Sequence, residues 1–477
     1  MAMAPRSIVL FHKVPAIWES MARKDIDGEL QSKKKFEKLQ NLSVEEKNLL
    51  NNLETDIFFL LSKNIADYVD IDTVNVVLGQ DPTEIRNWDV ISRDGMIVHK
   101  GKFVFWSTSS PDSLPFFENV EALILRGNYP NFHNKLIKKY NPSTSVFYPA
   151  TSLFFPHFRE RMRELIPLVL RGHIPNEIIS EYLENLSSQS IFSKVKKPRI
   201  KKEMTDLETF ELRKLFRNFL ESCIKISDNL RERESPGNYS IVLYDEESNH
   251  ESLSKIYPRS RLLPFKKAAS PNFYLKINSE REYDIVFTGT TIQKTKNHSL
   301  FYEIVDGIVS SNPDCRIAIV GVTSGETQLK KRWPSNVDVF GRITKNELLE
   351  IYNQSKSHII TSGRDCFPRT IPESVVCGCH VLALDIISDG LSVIEGNPLI
   401  GTIIDTKSDI FIVETSYSVS VKIISESIVS QISSQMEIDR DHLLIATIGR
   451  EIFSVEGMVQ LDMIWQEIDL SLRNYQE

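Results

Sequence analysis

The chain has 477 residues, 57 Lys and Arg against 64 Asp and Glu for a net charge of −7, 41% hydrophobic residues and five cysteines. That balance excludes disordered, fibrous and disulfide-stapled classes, and its acidic sign argues against a surface coated by nucleic acid. No run reaches the ~18–20 consecutive apolar residues that cross a bilayer, and Lys13 interrupts the first apolar stretch, so the expected location is cytoplasmic.

In chain order, short apolar runs at 7–11, 74–78, 103–106, 122–125, 145–148 and 241–244 read as strands, and polar stretches around 30–53 and 207–233 have helical periodicity. This is a first α/β domain with helical insertions. Residues 194–202 hold six cations in nine positions with no acid, which suits an anionic lipid surface or polyanionic acceptor and equally suits a solvated linker. The polar segment 275–283 reads as an interdomain linker. Strand candidates then follow at 284–288, 316–320, 337–340, 358–361, 380–385 and 402–404, separated by helical segments such as 345–354. Such alternation requires crossover connections and a parallel sheet covered on both faces, so this half is Rossmann-like. Apolar residues at Met458, Leu461, Ile464, Trp465 and Ile468 mark one face of a final helix over 455–473, with Ser454 as N-cap.

The chemistry-bearing residues concentrate in 358–385, which reads as strand, polar loop, short helix and strand. Asp365 and Glu373 stand eight positions apart, and the first helical turn near Thr370 and Glu373 would point unpaired N–H groups at a phosphate. Pro372 fits there because its missing N–H removes no helical bond. Spacing alone leaves open a plainer reading, with Glu373 complementing the helix dipole and Asp365 capping a turn. After the strand at 284–288, Gly289 permits a tight turn, and Lys294 and Lys296 could bring charge to a diphosphate; a solvated loop has the same composition. The triplets at Asp25 and Asp27 and at Asp70 and Asp72 read as solvated carboxylates, and the five cysteines lack paired zinc spacing, so neither a metal nor any other cofactor is expected.

In order and spacing, Gly289 with Lys296 and Asn297, the strand ending Ile319, Val320, Gly321, the segment 339–355, and Asp365 separated by seven residues from Glu373 resemble the donor half of the family 4 glycosyltransferases of the GT-B fold. The resemblance covers about 284–395. It implies an α/β chain of two Rossmann-like domains: an acceptor domain at 1–276 with helical insertions, a donor domain at 277–454, and a C-terminal helix, 455–477, returning to the first. It implies retaining transfer of a sugar from a nucleotide-diphosphate sugar to a hydroxyl of a glycan or glycolipid, without a metal. Glu373 would hold the ribose hydroxyls, Lys296 the diphosphate, and Asp365 would face the donor sugar. Backbone around Phe367, Pro368, Arg369 and Thr370 would meet sugar or phosphate. The family's Arg after the loop glycine is Thr290 here, which shifts diphosphate binding toward Arg342, Arg364 or Arg369. His12, Arg126 and Asn128 follow first-domain strands and are acceptor-side candidates. A nucleotide-sugar epimerase or phosphorylase, or a non-catalytic sugar-nucleotide or glycan binder, remains the alternative.

Overall fold

A computed structural model describes residues 7–13, 57–68, 70–71, 73–79, 96–98, 101–106, 117, 119–126, 130–149, 166–167, 169–171, 176, 179, 205–233, 238–245, 247–289, 296–322, 329, 331–341, 343–362, 367–385, 390–406 and 426–474. The chain divides into two compact units. One comprises Met1–Thr151, Glu234–Pro271 and Phe453–Glu477, the other Ser152–Arg233 and Asn272–Ile452.

In the first unit eight strands form one sheet: β1 (Ser7–Lys13), β2 (Thr73–Gly79), β3 (Met96–Val98), β4 (Gly101–Trp106), β5 (Val120–Arg126), β6 (Thr144–Tyr148), β7 (Ile241–Tyr244) and β8 (Arg261–Pro264), in the order β3-β4-β2-β1-β5-β6-β7-β8. All pairs are parallel except β3 with β4. Strands that are uninterrupted apolar runs, such as β7, are buried at every position, as a sheet covered on both faces requires. Helix Ile57–Tyr68 lays Phe58, Leu61 and Ile65 against Ile8 and Leu10 of β1. Each such fully buried side chain contributes roughly 1.5–3 kcal/mol of transfer free energy.

The final helix covers Leu461–Asn474, and its Ile464 and Ile468 join the same core. It starts later than periodicity suggests. The Ser454 hydroxyl instead accepts from the Gly457 N–H at 3.2 Å in a separate turn, and Met458 gives its carbonyl to the Lys266 amide. Apolar spacing registers burial of Met458 and Val459 but not the turn between them and the helix.

The second unit carries β9 (Tyr283–Thr288), β10 (Ile317–Val320), β11 (Val337–Phe340), β12 (Ser355–Ile360), β13 (His380–Leu384) and β14 (Gly401–Ile404), all parallel, in the order β11-β10-β9-β12-β13-β14. Counted within the unit this is 3-2-1-4-5-6, the dinucleotide-fold order, and it reverses between β9 and β12. The carboxyl ends of those strands, Thr288–Gly289 and Ile360–Thr361, therefore flank the place where such sheets bind ligands. Phe287 of β9 stacks on Phe301 of helix His298–Ser311 with ring centroids 4.2 Å apart. Cys315, Cys377 and Cys379 are buried free thiols.

Candidate functional site

Sequence order places Lys296 and Glu373 far apart; the switch between β9 and β12 brings their neighbourhoods together. Lys296 is held by its surroundings. Its carbonyl accepts from the Thr361 hydroxyl at 2.9 Å, just past β12. The next residue, Asn297, takes a left-handed conformation (φ 54°) as N-cap of helix His298–Ser311. A Cβ added at Gly289 would lie 3.1 Å from both Cβ and Cγ of Lys296. Gly289 has no positive φ, and it admits the close approach of the lysine stem; residues 290–295, where the expected turn falls, lie outside the described residues. The Gly289 carbonyl meets His298 Nε2 at 3.0 Å, which ties the strand end to the helix start.

Glu373 lies in the short helix Thr370–Val375 and is half-buried. Desolvation raises its carboxyl above the usual range, while Arg369, Lys345 and Lys296 pull it down, in that order. Three cations thus act electrostatically on one carboxylate. Lys345 opens helix Lys345–Asn353, whose start is fixed by a capping box: the Thr344 hydroxyl accepts from the Glu347 N–H at 3.2 Å, and Glu347 Oε2 accepts from the Thr344 N–H at 2.6 Å. Sequence reasoning passed over Lys345. It stands inside the matched segment 339–355, but its approach to Glu373 depends on a crossover between strands.

The loop entering the short helix is braced. Phe367 is 1% exposed with φ 40°, a left-handed conformation that costs an aromatic residue on the order of 1 kcal/mol or more. Gly390 lies over it; a Cβ there would come within 3.7 Å of Phe367 and Pro368 and 3.1 Å of Ile371. The Phe367 and Pro368 side chains therefore belong to the core. Arg369 is exposed and Thr370 half-buried. The helix has six residues, and Arg369, its N-cap, is itself right-handed helical without a side-chain cap. So brief a helix leaves side-chain cations as the principal positive charge.

Behind this surface lies a buried polar group that sequence reasoning missed. His358 of β12 is fully buried, and burial, reinforced by Lys296, pushes its imidazole down to about 3. Its signal was a histidine directly before the apolar pair Ile359 and Ile360 of β12.

Thr290, Lys294, Arg342, Arg364, Asp365, Asn128 and residues 194–202 lie outside the described residues. In the first unit, Phe11 pairs with Leu125, which sets His12 and Arg126 at neighbouring carboxyl ends of β1 and β5. The Arg126 guanidinium lies over the Phe58 ring at 4.7 Å. Among the described residues, no group of three or more His, Cys, Asp or Glu could hold a metal ion, and no helix is long and apolar enough to cross a membrane.

Among curated proteins none matches the chain in sequence. Among solved structures, the chain is similar to the pneumococcal O-GlcNAc transferase GtfA in complex with UDP and GlcNAc (12% identity, TM-score 0.38), over 49% of this chain and 46% of that one. It thus spans about half the length of that protein. It is also similar to sucrose-phosphate synthase from Thermosynechococcus elongatus (12% identity, TM-score 0.48, 99% of this chain and 98% of that). A third likeness is to WaaG, a glycosyltransferase involved in lipopolysaccharide biosynthesis (10% identity, TM-score 0.46, 94% and 97%). With TM-scores below 0.5, these likenesses carry no functional weight. The segment with Gly289, Lys296, Lys345 and Glu373 lies within residues 274–416, which match the family model for glycosyl transferases group 1.

Proposed function

We propose that the protein transfers a sugar from a nucleotide-diphosphate sugar to a hydroxyl acceptor, a glycan or glycolipid. The observation that carries this reading is that Lys296, Lys345 and Arg369 all act electrostatically on Glu373, in the sheet whose strand order switches between β9 and β12. A carboxylate accepts two hydroxyl protons of a ribose, and adjacent cations neutralise a diphosphate. The group 1 match over 274–416 supports the same assignment.

In the reaction, the bond between the anomeric carbon and the diphosphate oxygen breaks and the acceptor oxygen bonds to that carbon. The acceptor proton leaves with the diphosphate. Negative charge grows on the diphosphate as the bond breaks, so a cation fixed beforehand beside it lowers the barrier. Lys296, anchored at its carbonyl and along its stem, is that cation. Asp365 is the proposed partner of the donor sugar, and retention of configuration follows the family resemblance. His12, Arg126 and Asn128 are proposed for the acceptor side, and residues 194–202 for contact with an anionic surface.

The deciding experiment incubates the full chain with a panel of nucleotide sugars and follows release of nucleoside diphosphate. Slow hydrolysis without acceptor is the expected result. Lys296→Ala should lower its rate a hundredfold to a thousandfold, the equivalent of about 3–4 kcal/mol, with a smaller change in donor affinity. Glu373→Gln should chiefly weaken donor affinity. Binding without turnover would favour the non-catalytic reading, and wild-type behaviour of both variants would remove the site.

A further inference from the structure

Four buried side chains form a hydrogen-bond chain beneath the donor site. The Tyr352 hydroxyl lies 3.1 Å from Thr288 Oγ1, Thr288 Oγ1 lies 3.0 Å from His358 Nε2, and His358 Nδ1 lies 2.9 Å from Ser374 Oγ. Ser374 donates to the Ile371 carbonyl at 3.1 Å. Thr288 is 7% exposed and the other three 0%.

The last bond fixes the direction of the rest. The single hydroxyl proton of Ser374 is committed to Ile371, so Ser374 Oγ accepts from His358 Nδ1–H. A neutral imidazole with its proton on Nδ1 has its lone pair on Nε2, which accepts from Thr288. The Thr288 oxygen in turn accepts from Tyr352. Burial holds the imidazole neutral, as the arrangement requires. Every proton has an acceptor, so the chain escapes the penalty of about 1–3 kcal/mol for each unsatisfied buried polar group.

Its ends explain its place. Thr288 precedes Gly289, on which the Lys296 stem rests. Ser374 follows Glu373 in the same short helix, and Tyr352 belongs to the helix that Lys345 opens. We propose that the Tyr352, Thr288, His358 and Ser374 chain is a positioning device: it fixes the strand end behind Lys296 against the helix bearing Glu373, so that both reach one nucleoside diphosphate. This rests on the donor-site reading above.

The test uses the full chain with UDP, GDP and ADP in turn, measuring dissociation constants by calorimetry alongside thermal unfolding. Thr288→Val, which keeps shape and removes the hydroxyl, should weaken binding five- to tenfold, and Thr288→Ser should retain wild-type affinity. Ser374→Ala should match Thr288→Val. The double variant should be no weaker than either single one, because a chain broken once has already lost its function. Nitrogen-15 spectra of the histidine rings should show His358 neutral with its proton on Nδ1 at pH 7 and at pH 5. A lowered unfolding temperature with unchanged affinity, losses that multiply, or a proton on Nε2 would overturn the proposal. Lys296→Ala and Glu373→Gln are run beside these variants. If they weaken binding and the chain variants do not, the positioning role alone fails; if they leave binding unchanged, the donor-site reading fails and takes this inference with it.

Discussion

Gly289 and Lys296 meet so closely that a single methyl group tests their relation. The Cβ of Gly289→Ala would sit 3.1 Å from the lysine stem, tighter than ordinary van der Waals contact, and 3.4 Å from Cζ of Phe287. Since φ is unexceptional there, the backbone tolerates alanine and the lysine must give way. We expect turnover to fall about tenfold, the equivalent of roughly 1.4 kcal/mol in the barrier, with a change in unfolding temperature of no more than about 4 °C. Steady-state kinetics and a melting curve on one preparation check this; unchanged turnover would mean that Lys296 is not held by Gly289. The motif made this pair legible in sequence, though for another reason, because spacing suggests a turn and cannot report contact. Lys345 and His358 were not legible: their importance comes from what β9, β12 and the short helix bring beside them.

At the scale of elements, the second unit is pinned by a residue read only as part of a linker. Arg281 donates through one guanidinium nitrogen to the carbonyls of Tyr352 at 2.8 Å and Ser355 at 2.7 Å, and through another to that of Cys377 at 2.8 Å. The Tyr352 carbonyl lies in the last turn of helix Lys345–Asn353, that of Ser355 at the start of β12, and that of Cys377 just past helix Thr370–Val375, so the guanidinium ties two helix ends to a strand. Gly378, at φ 86°, brings the backbone so near that an added Cβ would lie 2.6 Å from the guanidinium. The Cys379 thiol also reaches the Tyr352 and Ser355 carbonyls, at 3.0 and 3.4 Å, but has one proton to give, so Arg281→Ala leaves the Cys377 carbonyl and one of the other two without this donor and should destabilise the unit by about 3 kcal/mol, seen as a lower urea midpoint. Thr344→Ala, which removes one helix cap, should cost about 1 kcal/mol. Equal effects would mean that the guanidinium bonds contribute no more than one cap. Most strands were legible because parallel strands covered on both faces are largely apolar; the short β3 and β8 and the polar start of β12 were not, and neither was the staple, since a charged residue in a polar segment reads as solvated.

Across the whole molecule, acid should reveal what the histidines contribute. His133 in the first unit and His358 in the second are fully buried, and burial pushes each imidazole down to about 3; His380, 3% exposed, is pushed down to about 4. In the unfolded chain each returns to about 6.5. The folded state then binds fewer protons than the unfolded state below that value, so stability is complete above about pH 6.5 and falls as pH drops toward the folded values. Between pH 7 and pH 5 the loss is about 2 kcal/mol for each histidine that stays neutral. Glu373, whose carboxyl is raised, acts in the opposite sense: the folded state takes up its proton first, which offsets part of the loss at the acid end. Urea unfolding at half-unit steps of pH should therefore show a slope of up to one proton per buried histidine between pH 6 and pH 5, and His358→Phe should remove one of them. Its ring fills the space without titrating, although Thr288 and Ser374 lose a partner and its absolute stability is lower at every pH. A profile of wild-type slope in His358→Phe would mean that the imidazole is charged in the folded protein.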